Sequence, residues 1–182
     1  MEDIINHIKD WASLSNEAKF LIKERFIPET FRQNTMLIRS GSVVRHIYFL
    51  SKGFIKGFQF QKGKVVVDHL IAPGEFFTSL ESFTKEGPTV ETFQAISDCT
   101  VFKIGKVDFD WLNRELPAFQ EFSTQLMNRS LNCKMERIQD FQTLSAKERY
   151  LKLIQQQPMV VRHTSIQDLA SYLGIEPPFL EQ

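Results

Sequence analysis

From Phe26 to Ile104 the chain is cut into short β-rich runs, each closed by turn residues, and this punctuation constrains the fold more than any other feature. "TMLIRSG", "HIYFLSKG", "FIKGFQFQKG" and "KVVVDHLIAPGE" follow one another, each ending on a turn that contains glycine. "QKGK" predicts a hairpin between two of them, and Ser97 with Asp98 predicts a turn inside "ETFQAISDCTVFKI". Strands at regular turn spacing predict a barrel or jelly roll.

Helical periods flank this region. Ser15 is placed to cap "NEAKFLIKERF", with Leu14 before it as a staple. "KVDFDWLNREL" predicts a short helix, and Pro117 opens a long one that runs to Thr143. On that helix Phe119, Phe122, Leu126, Cys133 and Phe141 fall on one side, and Leu131, Met135 and Ile138 on another. Two apolar stripes predict two neighbours, the barrel and a second copy of the helix, although a plain core helix would also carry apolar faces. Ser145 and Glu148 form a capping box for the next helix, which Pro158 is expected to end. Ser165 then caps "IQDLASYLG", with Gly174 as its stop.

The chain has 182 residues, 22 basic and 22 acidic, so its surface as a whole offers no attraction to nucleic acid. Its 17 phenylalanines predict a core rich in flat rings. Two cysteines without a CxxC pair exclude a four-thiolate cluster and fit a reduced cytosol. No apolar run approaches the roughly 20 residues needed to span a bilayer, and the acidic start is unlike a signal peptide. A cytoplasmic protein with no membrane partner is expected. His46 and His69 lie singly in strands with no HxH and following Glu, so no metal is expected. No Ser-His-Asp grouping or phosphate-gripping glycine loop marks an enzyme.

Barrel, long helix and small helical tail, in that order, resemble the Crp–Fnr family of bacterial transcription regulators. "TMLIRSGSVVRHIYFLSKGFIKGF" is similar to the family's first barrel turns, "APGEFF" to the start of its phosphate-binding cassette, and "DCTVFKI" to the strand that closes it. "LSAKERYLKL" and "IQDLASYLGI" resemble the start of its helix-turn-helix domain. The resemblance implies an α+β chain in three parts. Residues 1–116 would form a cyclic nucleotide-binding-like β jelly-roll barrel with N-terminal helices. Residues 117–143 would form a dimerisation helix, and residues 144–182 a small helix-turn-helix domain, incomplete at Gln182.

In relatives that bind cyclic AMP a Gly-Glu pair holds the ribose and an Arg-Ser pair the phosphate. The first pair is kept here as Gly74 and Glu75, followed by Phe76, whereas the second falls on Thr89 and Val90. The adenine-contacting Thr-Ser falls on Cys133 and Lys134. A charge-assisted hydrogen bond contributes about 1.5–3 kcal/mol, so a missing arginine disfavours cyclic AMP or another nucleotide as ligand. No cofactor is assigned, and an unidentified small-molecule effector is expected instead. Glu75 has a second reading, as a carboxylate that caps a helix over "FFTSLESF".

At the DNA-reading end the resemblance points to Ser165, Gln167 and Gln182. From Leu144 onward Lys147, Arg149, Lys152 and Arg162 are balanced by Glu148, Asp168, Glu176 and Glu181, so weak DNA binding is expected. Two functions remain: a dimeric DNA-binding regulator, or a degenerate relative acting as sensor or scaffold without reading DNA.

Overall fold

The computed structural model describes residues 2–10 and 13–176. Two helices, α1 (Glu2–Lys9) and α2 (Asn16–Arg25), precede β1 (Ile27–Phe31), β2 (Met36–Ile38), β3 (His46–Lys52), β4 (Ile55–Gln61), β5 (Lys64–Ile71) and β6 (Phe76–Phe77). Helix α3 (Leu80–Lys85) interrupts the strands before β7 (Thr92–Ala95) and β8 (Cys99–Gly105). Helices α4 (Lys106–Glu115), α5 (Pro117–Thr143), α6 (Ala146–Gln156), α7 (Pro158–His163) and α8 (Ile166–Leu173) complete the described chain.

The strands form two four-stranded antiparallel sheets, ordered β1-β8-β3-β6 and β2-β7-β4-β5. Ile38, Leu50, Ile55, Phe93 and Val101 fill the space between them, the jelly-roll arrangement that the turn spacing predicts. Lys62 and Gly63 both take positive φ at the β4–β5 hairpin, as a tight primed turn requires. One irregularity in that hairpin matters for the site. Gly57 pairs with His69 and Phe58 with Val67, so Asp68 is an extra residue in β5, a β-bulge.

A second core lies outside the first sheet. Ile4, Ile5 and Ile8 of α1 join Ile22, Phe49, Leu112, Phe119 and Phe122, all nearly inaccessible to solvent. This buried stripe explains why α5 leaves the barrel at a fixed place: Phe119 packs on Phe109 and Phe122 on Phe76 while the helix continues beyond. A third core ties the C-terminal helices to the outer face of the second sheet, with Phe58, Val67 and Leu70 against Leu153, Val160, Leu169 and Leu173.

Three helix starts follow the capping chemistry. Ser15 accepts from the Ala18 amide, and Ser145 and Glu148 form the reciprocal box. Ser165 accepts from the Asp168 amide, and Gly174 closes α8 with φ of 66°. Two sequence expectations are corrected. Pro158 does not only end α6; it opens α7 at a position where its missing N–H has no intrahelical partner to lose. And no helix begins at Glu75, because Phe76 and Phe77 pair with β3 through Phe49 and Tyr48. The helix in that stretch starts only at Leu80.

Among the described residues no helix is long and apolar enough to cross a membrane.

Candidate functional site

A cavity of about 250 Å³ opens where the barrel, α5 and the C-terminal helices meet. Its barrel wall is β5 from Asp68 to Ile71, the turn at Gly74 and Glu75, and the rings of Phe76, Phe77 and Phe93. Its helical wall carries Arg129, Cys133, Lys134 and Arg137 from α5. His7 reaches it from α1, and Gln157 and Tyr172 reach it from the C-terminal helices.

The turn at Gly74 builds the floor. Gly74 has φ of 92°, in the left-handed region that favours glycine. Its amide donates to the Leu50 carbonyl at 2.7 Å, and the Leu50 amide donates to the Glu75 carbonyl at 2.9 Å. The Glu75 carboxylate folds back and accepts from the Ala72 amide at 2.8 Å. Burial pushes this carboxyl above its ordinary value, against that hydrogen bond and the Arg129 charge. Glu75 therefore stabilises a turn, not a helix, and still faces the cavity.

Five of the residues singled out in the sequence are brought together on this cavity: Gly74, Glu75, Phe76, Cys133 and Lys134. Two are not. Thr89 is buried, and its hydroxyl is hydrogen-bonded to Ser79 Oγ at 2.7 Å and to the Glu91 amide at 2.9 Å. Val90 points outward and is 64% exposed. The chain dips inward at Thr89 and outward at Val90, so the two cannot serve the cavity as an adjacent pair.

Sequence reasoning missed the polar group that occupies this part of the wall. His69 Nε2 lies 3.2 Å from Glu91 Oε1 and 3.8 Å from Asp68 Oδ1. Ser79 Oγ donates to the other Glu91 oxygen. Adjacent residues of a regular strand point to opposite faces, so Asp68 and His69 would not be expected on one side. The bulge at Asp68 removes that objection. Two buried atoms in the cavity residues have no hydrogen-bond partner, Asp68 Oδ1 and Gln157 Oε1. Both are acceptors, so a ligand that brings donors or a cation would satisfy them.

Of the residues for which the resemblance implies DNA contact, Ser165 and Gln167 are exposed at the start of α8. The Ser165 hydroxyl is already engaged, donating to Asp168 Oδ2 at 2.8 Å while capping the helix. Gln182, like Pro177 and Pro178, lies outside the described residues. Helix α8 is fastened to the barrel: Lys56 Nζ donates to both Asp168 oxygens at 2.9 and 2.8 Å, and the Val67 amide donates to Ser171 Oγ at 2.9 Å. Arg137 of α5 donates to the Tyr172 carbonyl at 2.6 Å and lies over its ring.

Residues 28–115 match the cyclic nucleotide-binding domain family. No curated protein matches the chain in sequence. Among solved structures, FixK2 from Bradyrhizobium japonicum superposes with a TM-score of 0.71 at 13% identity, covering 86% of this chain and 81% of that one. The c-di-GMP responsive global regulator CLP of Xanthomonas campestris gives 0.68 at 13% identity, covering 92% and 88%. The catabolite activator protein of Thermus thermophilus gives 0.61 at 20% identity, covering 93% and 81%. At such identities the likeness is one of fold.

Proposed function

We propose that the chain is a cytoplasmic, dimeric DNA-binding transcription regulator of the Crp–Fnr kind whose effector is not cyclic AMP, since residues 28–115 match the cyclic nucleotide-binding domain family and the fold is similar to those of FixK2 and the catabolite activator protein. The observation that carries this reading is the position of the cavity. Tyr172 and Gln157 line it together with the barrel and α5, so a ligand there touches the sensing part and the C-terminal helices at once. A ligand that fits one arrangement of these parts better than another shifts their equilibrium by that difference in affinity.

The wall chemistry argues against a cyclic nucleotide. Asp68 and Glu75 put carboxylates on the barrel side, with Glu91 behind His69, and the cations Arg129, Lys134 and Arg137 all sit on α5. A phosphate held against the barrel wall would meet acceptors and no donor cation. Isothermal calorimetry with cyclic AMP is expected to show no binding at micromolar concentration; micromolar binding would overturn this part of the reading.

The regulator reading is tested by selecting duplexes from a random DNA pool with the purified full chain, followed by gel shifts over a salt series. Enrichment of a two-fold symmetric site, with half-sites about 10 base pairs apart and salt-sensitive affinity, is expected. A second reading, a sensor or scaffold that does not read DNA, is favoured by the ties that hold α8 on the barrel and by the neutral charge after Leu144. No enrichment with or without candidate effectors would favour it.

A further inference from the structure

We propose that Asp68, His69 and Glu91 form a binding site for a first-row divalent metal ion, with an open coordination position toward the cavity. Each residue offers one ligand atom, and the three atoms lie within 4.8 Å of one another. Ligands about 2.0–2.2 Å from a shared ion lie a little over 3 Å apart, so only side-chain movements are needed to close this set. One imidazole and two carboxylates form a mixed nitrogen–oxygen set suited to Zn²⁺ or Mn²⁺.

Four features are built around these residues. The bulge makes Asp68 the extra residue of β5, beside His69, and both line the cavity. Asp68 Oδ1 is buried without a hydrogen-bond partner, an arrangement that an ion would relieve. Gly57 leaves the room the imidazole takes, and the Phe93 ring stacks on the imidazole at 5.5 Å. Glu91 is in turn oriented by Ser79, itself hydrogen-bonded to Thr89, which is the outer support that metal-binding carboxylates need. Two carboxylates facing one ring nitrogen repel each other unless a proton or a cation lies between them. On binding, the ion takes the place of the proton between His69 Nε2 and Glu91 Oε1, and that proton leaves to solvent.

The proposal deepens the reading of the cavity as sensory but does not depend on DNA binding. Metal-free full-length protein would be titrated with Zn²⁺ and Mn²⁺ by calorimetry, and melted with and without each ion. One ion per chain, bound at micromolar concentration or tighter, is expected to raise the melting temperature. His69→Ala and the near-isosteric Glu91→Gln are expected to weaken binding about 100-fold or more, while Glu115→Gln, exposed at the end of α4, leaves it unchanged. The proposal is overturned if the parent chain takes up no ion below 100-fold these concentrations, or if folded Glu91→Gln binds as the parent does. Repeating the DNA selection with the metal-loaded chain separates the two ideas: an ion bound without any effect on DNA removes the sensory link and leaves the site.

Discussion

Gly57 lies directly against His69: a Cβ on the glycine would meet His69 Cβ at 2.9 Å and Phe93 Cε1 at 2.9 Å. The backbone of β4 therefore sets where the imidazole stands. Gly57→Ala forces the ring or the strand to move, and overpacking of this kind costs about 1–3 kcal/mol. At Gly87 a Cβ would meet nothing within 4 Å, so Gly87→Ala is expected to be neutral or slightly stabilising. Urea melts of the two variants check the contrast, and equal stabilities would show that Gly57 is not a packing requirement.

Lys56 and Asp168 hold the C-terminal helices on the barrel. Both side chains are 19% exposed, and the ammonium reaches both carboxylate oxygens. Lys56→Met keeps the aliphatic stem and removes the charge-assisted bonds, with an expected cost of about 1–2 kcal/mol after solvent screening. The loss should appear as faster amide hydrogen exchange across α6 and α8, with the barrel strands unchanged. Unaltered exchange in α8 would mean that the apolar contacts of Leu169 and Leu173 hold the unit without the ion pair.

What the sequence made legible follows from how local each signal is. Ser15, Ser145 and Ser165 announce their helices because a cap bonds within three residues, and the hairpin at Lys62 and Gly63 is equally local. The Glu75 turn was misread because its competitor, pairing of Phe76 and Phe77 with β3, involves residues almost 30 positions away. The cavity was half visible: Gly74, Glu75, Cys133 and Lys134 stand on recognisable positions of the fold. Asp68 and Glu91 were not visible beside His69, since a β-bulge and a strand crossing bring them there and neither leaves a local pattern.

Acid should loosen the N-terminal side of the barrel. Burial and the Arg129 charge hold the His7 imidazole below its ordinary value of 6.5. Burial and Lys103 do the same for His46. The unfolded chain then binds more protons than the folded one, so stability falls as pH drops below about 6.5 toward the folded values. Buried Glu75 and Asp68, pushed above their ordinary values, act in the opposite direction, so parent and variant are compared over one window, pH 7.5 to 5.5. Denaturant midpoints should fall across it, and His7→Phe, whose ring would sit near Phe49 and Phe76, should reduce the slope. A slope identical in the variant would remove His7 from the explanation.

The outer stripe of α5 is the surface on which a second copy would pack. Leu131, Met135 and Ile138 are 53%, 67% and 56% exposed, and their spacing of four and three residues aligns them along one face. The other face is occupied, since Phe119 and Phe122 are buried in the core outside the first sheet and Cys133 lines the cavity. Burying an aliphatic side chain of this size contributes about 1.5–3 kcal/mol, so three from each copy give a seam able to hold a dimer at micromolar concentration. Light scattering of the purified chain is expected to give the mass of two copies. Leu131→Glu combined with Ile138→Glu puts like charges on both sides of the seam and should yield a folded monomer. A parent chain that is monomeric at this concentration would remove the dimer, and with it the two-fold symmetric DNA site.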